Sequence, residues 1–106
     1  MAKYMLQSSY TVEGLKGVLK EGGSARRKAV EKAVASVGGK LESYYFAFGD
    51  SDVFLICDLP DNVAATAISL IANATGTTKA KFTVLLTPEE VDAATKITAD
   101  YRPPGK

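Results

Sequence analysis

The sequence predicts an α+β fold: one ferredoxin-like antiparallel sheet with helices on one face. Three observations point there. Apolar residues alternate between strand-like and helical spacing along the chain, in the order strand, helices, hairpin, helix, strand, helix. Glycine pairs and capping residues stand at the switches. The length of 106 residues suits one domain, and a chain of that size buries roughly two-thirds of its unfolded surface without staples. The first six elements give the β-α-β-β-α-β pattern, which places the first and third strands at the centre of the sheet.

Lys3 to Tyr10 reads as the first strand, with Tyr4, Leu6 and Tyr10 on one face and Met5 on the other. Thr11 is placed to cap a helix over Val12–Lys20, where Val12, Leu15, Val18 and Leu19 fall at helical spacing. Gly14 and Gly17 weaken that helix by about 1 kcal/mol each relative to alanine. Gly22 and Gly23 end it. Ser24 is expected to cap the next helix, Ala25 to Val37, with Ala29, Val30, Ala33, Val34 and Val37 as its buried stripe. Gly38 and Gly39 close it.

Lys40 to Phe48 reads as an aromatic-rich strand, and Gly49-Asp50-Ser51-Asp52 as a turn leading into a third strand, Val53 to Asp58. Asp61 caps a helix over Asn62–Ala74, with Ala64, Ala67, Ile68, Leu70 and Ile71 toward the core, and Gly76 stops it. Thr78 to Leu86 is the fourth strand. Thr87-Pro88-Glu89-Glu90 starts a last helix, with a cap, a first-turn proline and two carboxylates favourable to the helix dipole. It is expected to run to about Ala99. Residues 102–106 are too proline-rich to continue it and read as a flexible tail on a single domain spanning 1–106.

The third strand is apolar on both sides. Val53, Leu55 and Cys57 point one way, and Phe54 and Ile56 the other. The second strand likewise sets Tyr45 and Ala47 against Tyr44, Phe46 and Phe48. A strand with one solvated face alternates apolar and polar residues, and a large exposed apolar patch is rare in a soluble monomer. A second copy of the chain, a homodimer first, is the expected cover, with two sheets packed face to face. The last helix folding across the open face is the alternative; Val91, Ala94 and Ile97 would cover little area.

Composition narrows the chemistry. Apolar residues make up 46% and charged residues 24% of the chain, and the formal net charge is +1. This is ordinary globular composition with no field favouring nucleic acid or an anionic membrane. No apolar run approaches the roughly 20 residues of a membrane span. One cysteine, Cys57, allows no intrachain disulfide; that usage and the absence of a signal-peptide pattern suggest a cytoplasmic setting. The chain has no histidine, so it offers no imidazole base, no histidine-ligated haem and no usual zinc constellation. No metal or cofactor is expected.

Several segments together resemble one family. Gly38 through Asp52, running Gly-Gly-Lys-Leu-Glu-Ser-Tyr-Tyr-Phe-Ala-Phe-Gly-Asp-Ser-Asp, is similar to the signature of the GYD-domain family, named for a Gly-x-Tyr-Asp motif at this hairpin. Gly22-Gly23-Ser24-Ala25-Arg26-Arg27, Leu59 to Ala65, Leu85 to Glu90 and Tyr101 to Gly105 add to the resemblance, which covers almost the whole chain. It implies a subunit of the dimeric α/β-barrel kind. It implies no reaction: the family is largely of unknown function, and relatives by fold include monooxygenases, haem enzymes and ligand-sensing domains. Gly49 and Asp52 match the motif, whereas Ser51 stands where the family has tyrosine. A chemical role for that tyrosine would be missing here. A turn role is one serine can fill, which favours a structural reading.

The site expected from these residues is a small-molecule pocket. Tyr10, Tyr44, Tyr45 and Phe46 would shape it around a small apolar or aromatic ligand, and Arg27 with Asp50 and Asp52 would supply polarity. Each has a plainer reading. The aromatics suit core and interface packing, the aspartates suit a turn, and Arg26-Arg27-Lys28 suits a solvated helix face. Cys57 reads as a buried hydrophobe rather than a nucleophile. The leading expectation is a non-catalytic, oligomeric ligand-binding or accessory protein. A cofactor-independent monooxygenase-like or isomerase-like enzyme using Asp50, Asp52 and Tyr45, or a purely structural oligomer, are the alternatives.

Overall fold

Caps and glycines divide the chain much as their chemistry predicts. In the computed structural model, which describes Met1–Lys106, the elements are β1 (Ala2–Tyr10), α1 (Val12–Glu21), α2 (Gly23–Ser36), β2 (Lys40–Phe46), β3 (Val53–Leu59), α3 (Asn62–Ala74), β4 (Thr78–Leu85) and α4 (Pro88–Thr95). The Thr11 hydroxyl accepts the Gly14 N–H at 3.3 Å, and the Asp61 carboxylate accepts the Ala64 N–H at 2.9 Å. Thr87 and Glu90 form a reciprocal capping box, with bonds of 3.1 and 3.0 Å. Each satisfies helix-end N–H groups that have no partner within the helix. Ser24 does not cap α2. Gly22, at φ 84°, precedes that helix with no side-chain cap, because α2 begins directly at the tight turn out of α1.

The strands form one antiparallel sheet in the order β2-β3-β1-β4. β1 and β3 are central, as the ferredoxin-like reading requires. Val53, Leu55 and Cys57 face the helices, paired with Ser8, Leu6 and Tyr4 of β1. Tyr4 is only 2% exposed. Its hydroxyl donates to Asn62 Oδ1 at 2.6 Å, and its ring meets Phe82 edge-on with centroids 6.0 Å apart. Val34 of α2 and Ala65 of α3 close the core from above. Asn73 guards the outer edge of β4: its side chain accepts the Ala80 N–H at 2.7 Å and donates to the Ala80 carbonyl at 3.2 Å. A free strand edge invites pairing with other chains, and a side chain bonded there blocks it locally.

Several expected core stripes are turned. On α1, Val12, Leu15 and Leu19 are exposed and Gly14 is the buried residue. The helix lies on its small-residue side, where Gly14, Gly17 and Glu21 recur at spacings of three and four. On α2, Val30, Val34 and Val37 face inward while Ala29 and Ala33 are exposed. On α3, Ala65 and Ile68 lie toward the sheet; Leu70 and Ile71 are both exposed, Leu70 at the rim of an open groove with Tyr4, Phe82 and Val84. β2 ends at Phe46, leaving Phe48 fully exposed beyond it, and α4 ends at Thr95 rather than near Ala99.

The face of the sheet away from α1, α2 and α3 carries an apolar centre. Met5 pairs with Ile56 and Tyr45 with Phe54. Around it Lys3 bridges Asp58 and Glu42 at 3.1 Å each, and β4 adds Lys79 and Lys81. α4 does not fold across this face. Every residue from Leu86 onward is exposed, and the molecule measures 56 × 32 × 23 Å. Its radius of gyration is 16.9 Å, where about 13 Å is expected of a compact chain this long. No helix is long and apolar enough to cross a membrane.

Candidate functional site

Small residues on both sides of the helix–sheet interface leave a cavity of about 260 Å³. Its floor is the helix-facing side of the sheet, including Leu6, Ser8, Tyr44 and Ala80; its roof is α1 and the start of α2. Gly14 lets α1 come this close. A Cβ there would overlap the Thr77 carbonyl oxygen and stand 2.9 Å from the Tyr10 ring. The approach is held by the Thr11 N–H, which donates to Thr77 O at 3.0 Å, and by the Thr11 hydroxyl, which donates to Gly76 O at 2.8 Å. Gly17 faces the cavity with nothing within 4 Å of where its Cβ would be. The glycines that lower the helix propensity of α1 therefore make the space.

The cavity is mostly apolar, with one polar end. Arg26 Nη1 donates to Glu21 Oε1 at 3.2 Å, with both side chains part-exposed. The Tyr10 and Tyr44 phenols stand beside this ion pair. Burial, and then the hydrogen bond with the neighbouring Tyr10 hydroxyl, push the Tyr44 phenol well above its ordinary value, so it stays protonated. Phe46 supports Tyr44 edge-on, with ring centroids 5.4 Å apart. On the floor the Ser8 and Thr78 hydroxyls bond one another at 2.6 Å and so satisfy themselves.

The expected site residues are thus divided. Tyr10 and Tyr44 line the cavity, with Phe46 behind Tyr44. Arg26, not Arg27, is the cavity arginine; Arg27 lies in a shallow polar groove with Glu31 and Tyr45. Tyr45 itself is on the open sheet face, 71% exposed. Asp50 is exposed, and its backbone carbonyl accepts the Ser9 hydroxyl at 2.8 Å. Asp52 accepts the Tyr10 backbone N–H at 2.8 Å, outside the cavity. Sequence reasoning missed Glu21, Gly14 and Gly17 as cavity residues. The spacing of three and four that joins them was legible, but the apolar stripe opposite drew the helix the other way round.

Cys57 is wholly buried, and burial pushes its thiol up to about 11. It sits in the core as an apolar group and is no nucleophile at neutral pH. No group of three or more Cys, Asp or Glu side chains converges as a metal ligand set.

Comparison with known proteins gives one finding. A family model described as GYD domain matches residues 4–95. No curated protein and no solved structure matches the chain.

Proposed function

This chain belongs to the GYD-domain family, and from that premise we propose that it is an oligomeric protein that binds a small apolar or aromatic compound without transforming it. The observation that carries this reading is the cavity between sheet and helices, apolar along its walls and polar at the Tyr10, Tyr44 and Arg26 end. Binding pockets commonly combine apolar walls with a few orienting polar groups. Tyr45, assigned to the ligand by the sequence, instead belongs to the open sheet face and to contact with a second copy.

Two observations support the oligomer. The centre formed by Met5, Ile56, Phe54 and Tyr45 has no cover within the chain. A second sheet packed about 10 Å away would cover it in the manner of a dimeric α/β barrel. In addition, α4 is eight residues long and stands alone. Helices this short are marginal in water without a surface to pack on. A cytoplasmic setting accords with the single buried thiol.

The enzymatic reading, a cofactor-independent monooxygenase-like or isomerase-like activity, needs an acid or base beside the bound molecule. Asp50 and Asp52, the acids the sequence offers for it, lie away from the cavity, and Tyr44 keeps its proton. The carboxylates that do line the cavity, Glu21 and Glu13, are held in ion pairs with Arg26 and Lys16. The purely structural reading leaves the cavity without a use.

Native mass spectrometry of gently purified protein, compared with the denatured mass, tests the proposal. The expected result is a multimer carrying extra mass that is lost on denaturation. A bare monomer at working concentration would overturn the oligomer, and a multimer that takes up no aromatic compound on addition would overturn the binding reading.

A further inference from the structure

The polar end of the cavity carries an unusual balance of charge and donors, and this selects among ligands. Its charged lining residues are one cation, Arg26, and two carboxylates, Glu13 and Glu21. Arg26 is already engaged by Glu21 at 3.2 Å; Glu13 lies 3.6 Å from Lys16, which is not part of the lining. An anionic ligand entering here would meet a guanidinium already neutralised and carboxylates nearby. The donors, by contrast, exceed the acceptors they serve. Arginine has five N–H groups, and only Nη1 is bonded to Glu21. Tyr10 and Tyr44 bring two hydroxyls to one spot; if one donates to the other, one O–H is still free.

Size adds a second constraint. An apolar cavity of about 150 Å³ holds a benzene ring. The cavity here is about 260 Å³, which leaves room for a second fused ring. Tyr44, Val53 and Leu55 give it flat and branched apolar walls against which such a compound packs.

We propose that the cavity selects uncharged aromatic compounds of about two rings that carry an acceptor oxygen, such as a ketone, and discriminates against aromatic carboxylates of the same shape. The acceptor oxygen lies at the Tyr44 and Arg26 end, and the rings lie over the Leu6 and Ala80 floor. This rests on the reading of the cavity as a ligand site and adds what the site discriminates.

The experiment is a titration of the full chain with three matched probes at neutral pH: 2-acetylnaphthalene, naphthalene and 2-naphthoate, followed by ligand-observed NMR. The ketone is expected to bind about tenfold more tightly than naphthalene, the scale of one good hydrogen bond, and naphthoate to bind most weakly. Tyr44→Phe is expected to remove the advantage of the ketone over naphthalene, read as the ratio of the two affinities in that same variant. Glu21→Gln, which removes the carboxylate without changing shape, is expected to strengthen naphthoate binding selectively. Naphthoate binding as tightly as the ketone would overturn the selectivity while leaving the cavity a binding site. Failure of all three probes, naphthalene included, would overturn the binding reading itself and this inference with it. Equal weakening of ketone and naphthalene by Tyr44→Phe would show a packing role and overturn the hydrogen bond assigned to the phenol.

Discussion

Asp52 and Tyr10 are tied together at the end of the sheet: the Asp52 carboxylate accepts the Tyr10 backbone N–H at 2.8 Å. The Asp52 N–H in turn donates to the Ser8 carbonyl at 2.8 Å, and the Asp52 carbonyl accepts from Ala47 N–H at 2.8 Å. One residue thereby joins β1 to both sides of the β2–β3 turn. It fixes the strand end from which the Tyr10 ring enters the cavity. This gives the motif aspartate a structural task that serine at position 51 leaves intact. Asp52→Ala is expected to lower stability by about 1.5–3 kcal/mol, the range for a hydrogen bond to a charged group. Asp52→Asn, which keeps an acceptor, should cost less. Urea unfolding of the two variants checks the ranking; an alanine variant as stable as the parent would show that the tie contributes nothing net.

Two glycines of the same helix should respond in opposite directions. Gly14→Ala drives a methyl into the Thr77 carbonyl and the Tyr10 ring. α1 must then lift, and a loss of about 1–3 kcal/mol is expected, as for other overpacked sites. Gly17→Ala meets open space and should gain about 0.5–1 kcal/mol from helix propensity. Because Gly17 lines the cavity, larger residues there should also weaken ligand binding while the fold persists. Thermal unfolding of the pair decides it. A destabilised Gly17→Ala would mean that α1 lies closer to the sheet than the geometry here allows.

Alkaline pH should expose two buried acids. Burial raises the Cys57 thiol from 9.0 to about 11, and burial with the adjacent Tyr10 raises the Tyr44 phenol above its ordinary 10.0. Both groups hold their protons longer folded than unfolded. The sign follows: the unfolded chain binds fewer protons in this range, so stability falls as pH rises. The loss should begin near pH 9 from Cys57 and continue above pH 10 from Tyr44, with none of it present below pH 8. Cys57→Ala should flatten the first part and Tyr44→Phe the second, measured as urea midpoints against pH. A parent curve flat through pH 11 would mean that neither group is held as the structure holds it.

The strand pattern and caps were legible because they depend on neighbours in sequence. Period two on Val53–Asp58 gave the two faces of β3 correctly, and Asp61 and Thr87 cap the helices they precede. The helix faces were less legible. On α1 the apolar stripe predicts burial of Val12, Leu15 and Leu19, yet the close approach at Thr77 demands a side with no side chain, and Gly14 goes inward. The arginine was undecidable by periodicity. Arg26 and Arg27 precede Val30 by four and three residues, and both spacings share a helix face. Only the placement of α2 over the sheet puts Arg26 at the cavity and Arg27 in the outer groove.

The last prediction concerns α4 and the open sheet face, each of which lacks what the other offers. α4 and the residues after it expose Val91, Ile97 and Tyr101, and the first turns bring the carboxylates of Glu89, Glu90 and Asp92. The open face exposes Phe54 and Tyr45 and carries Lys79 and Lys81 without ion-pair partners. Within one chain they stay apart, because α4 leads away from the sheet. Between two copies packed sheet to sheet, apolar contact and opposite charge favour laying α4 of one along the β4 edge of the other's open face, where Lys79 and Lys81 stand. Val91→Asp with Ile97→Asp is expected to shift the full chain toward monomer in sedimentation, and Phe54→Asp to do the same from the other side. Hydrogen exchange gives an independent readout. α4 amides should be protected at high protein concentration and lose protection on dilution, since an unsupported helix of this length opens readily. Protection that ignores concentration would mean that α4 needs no partner, and a charge at Val91 or Ile97 should then leave the assembly unchanged.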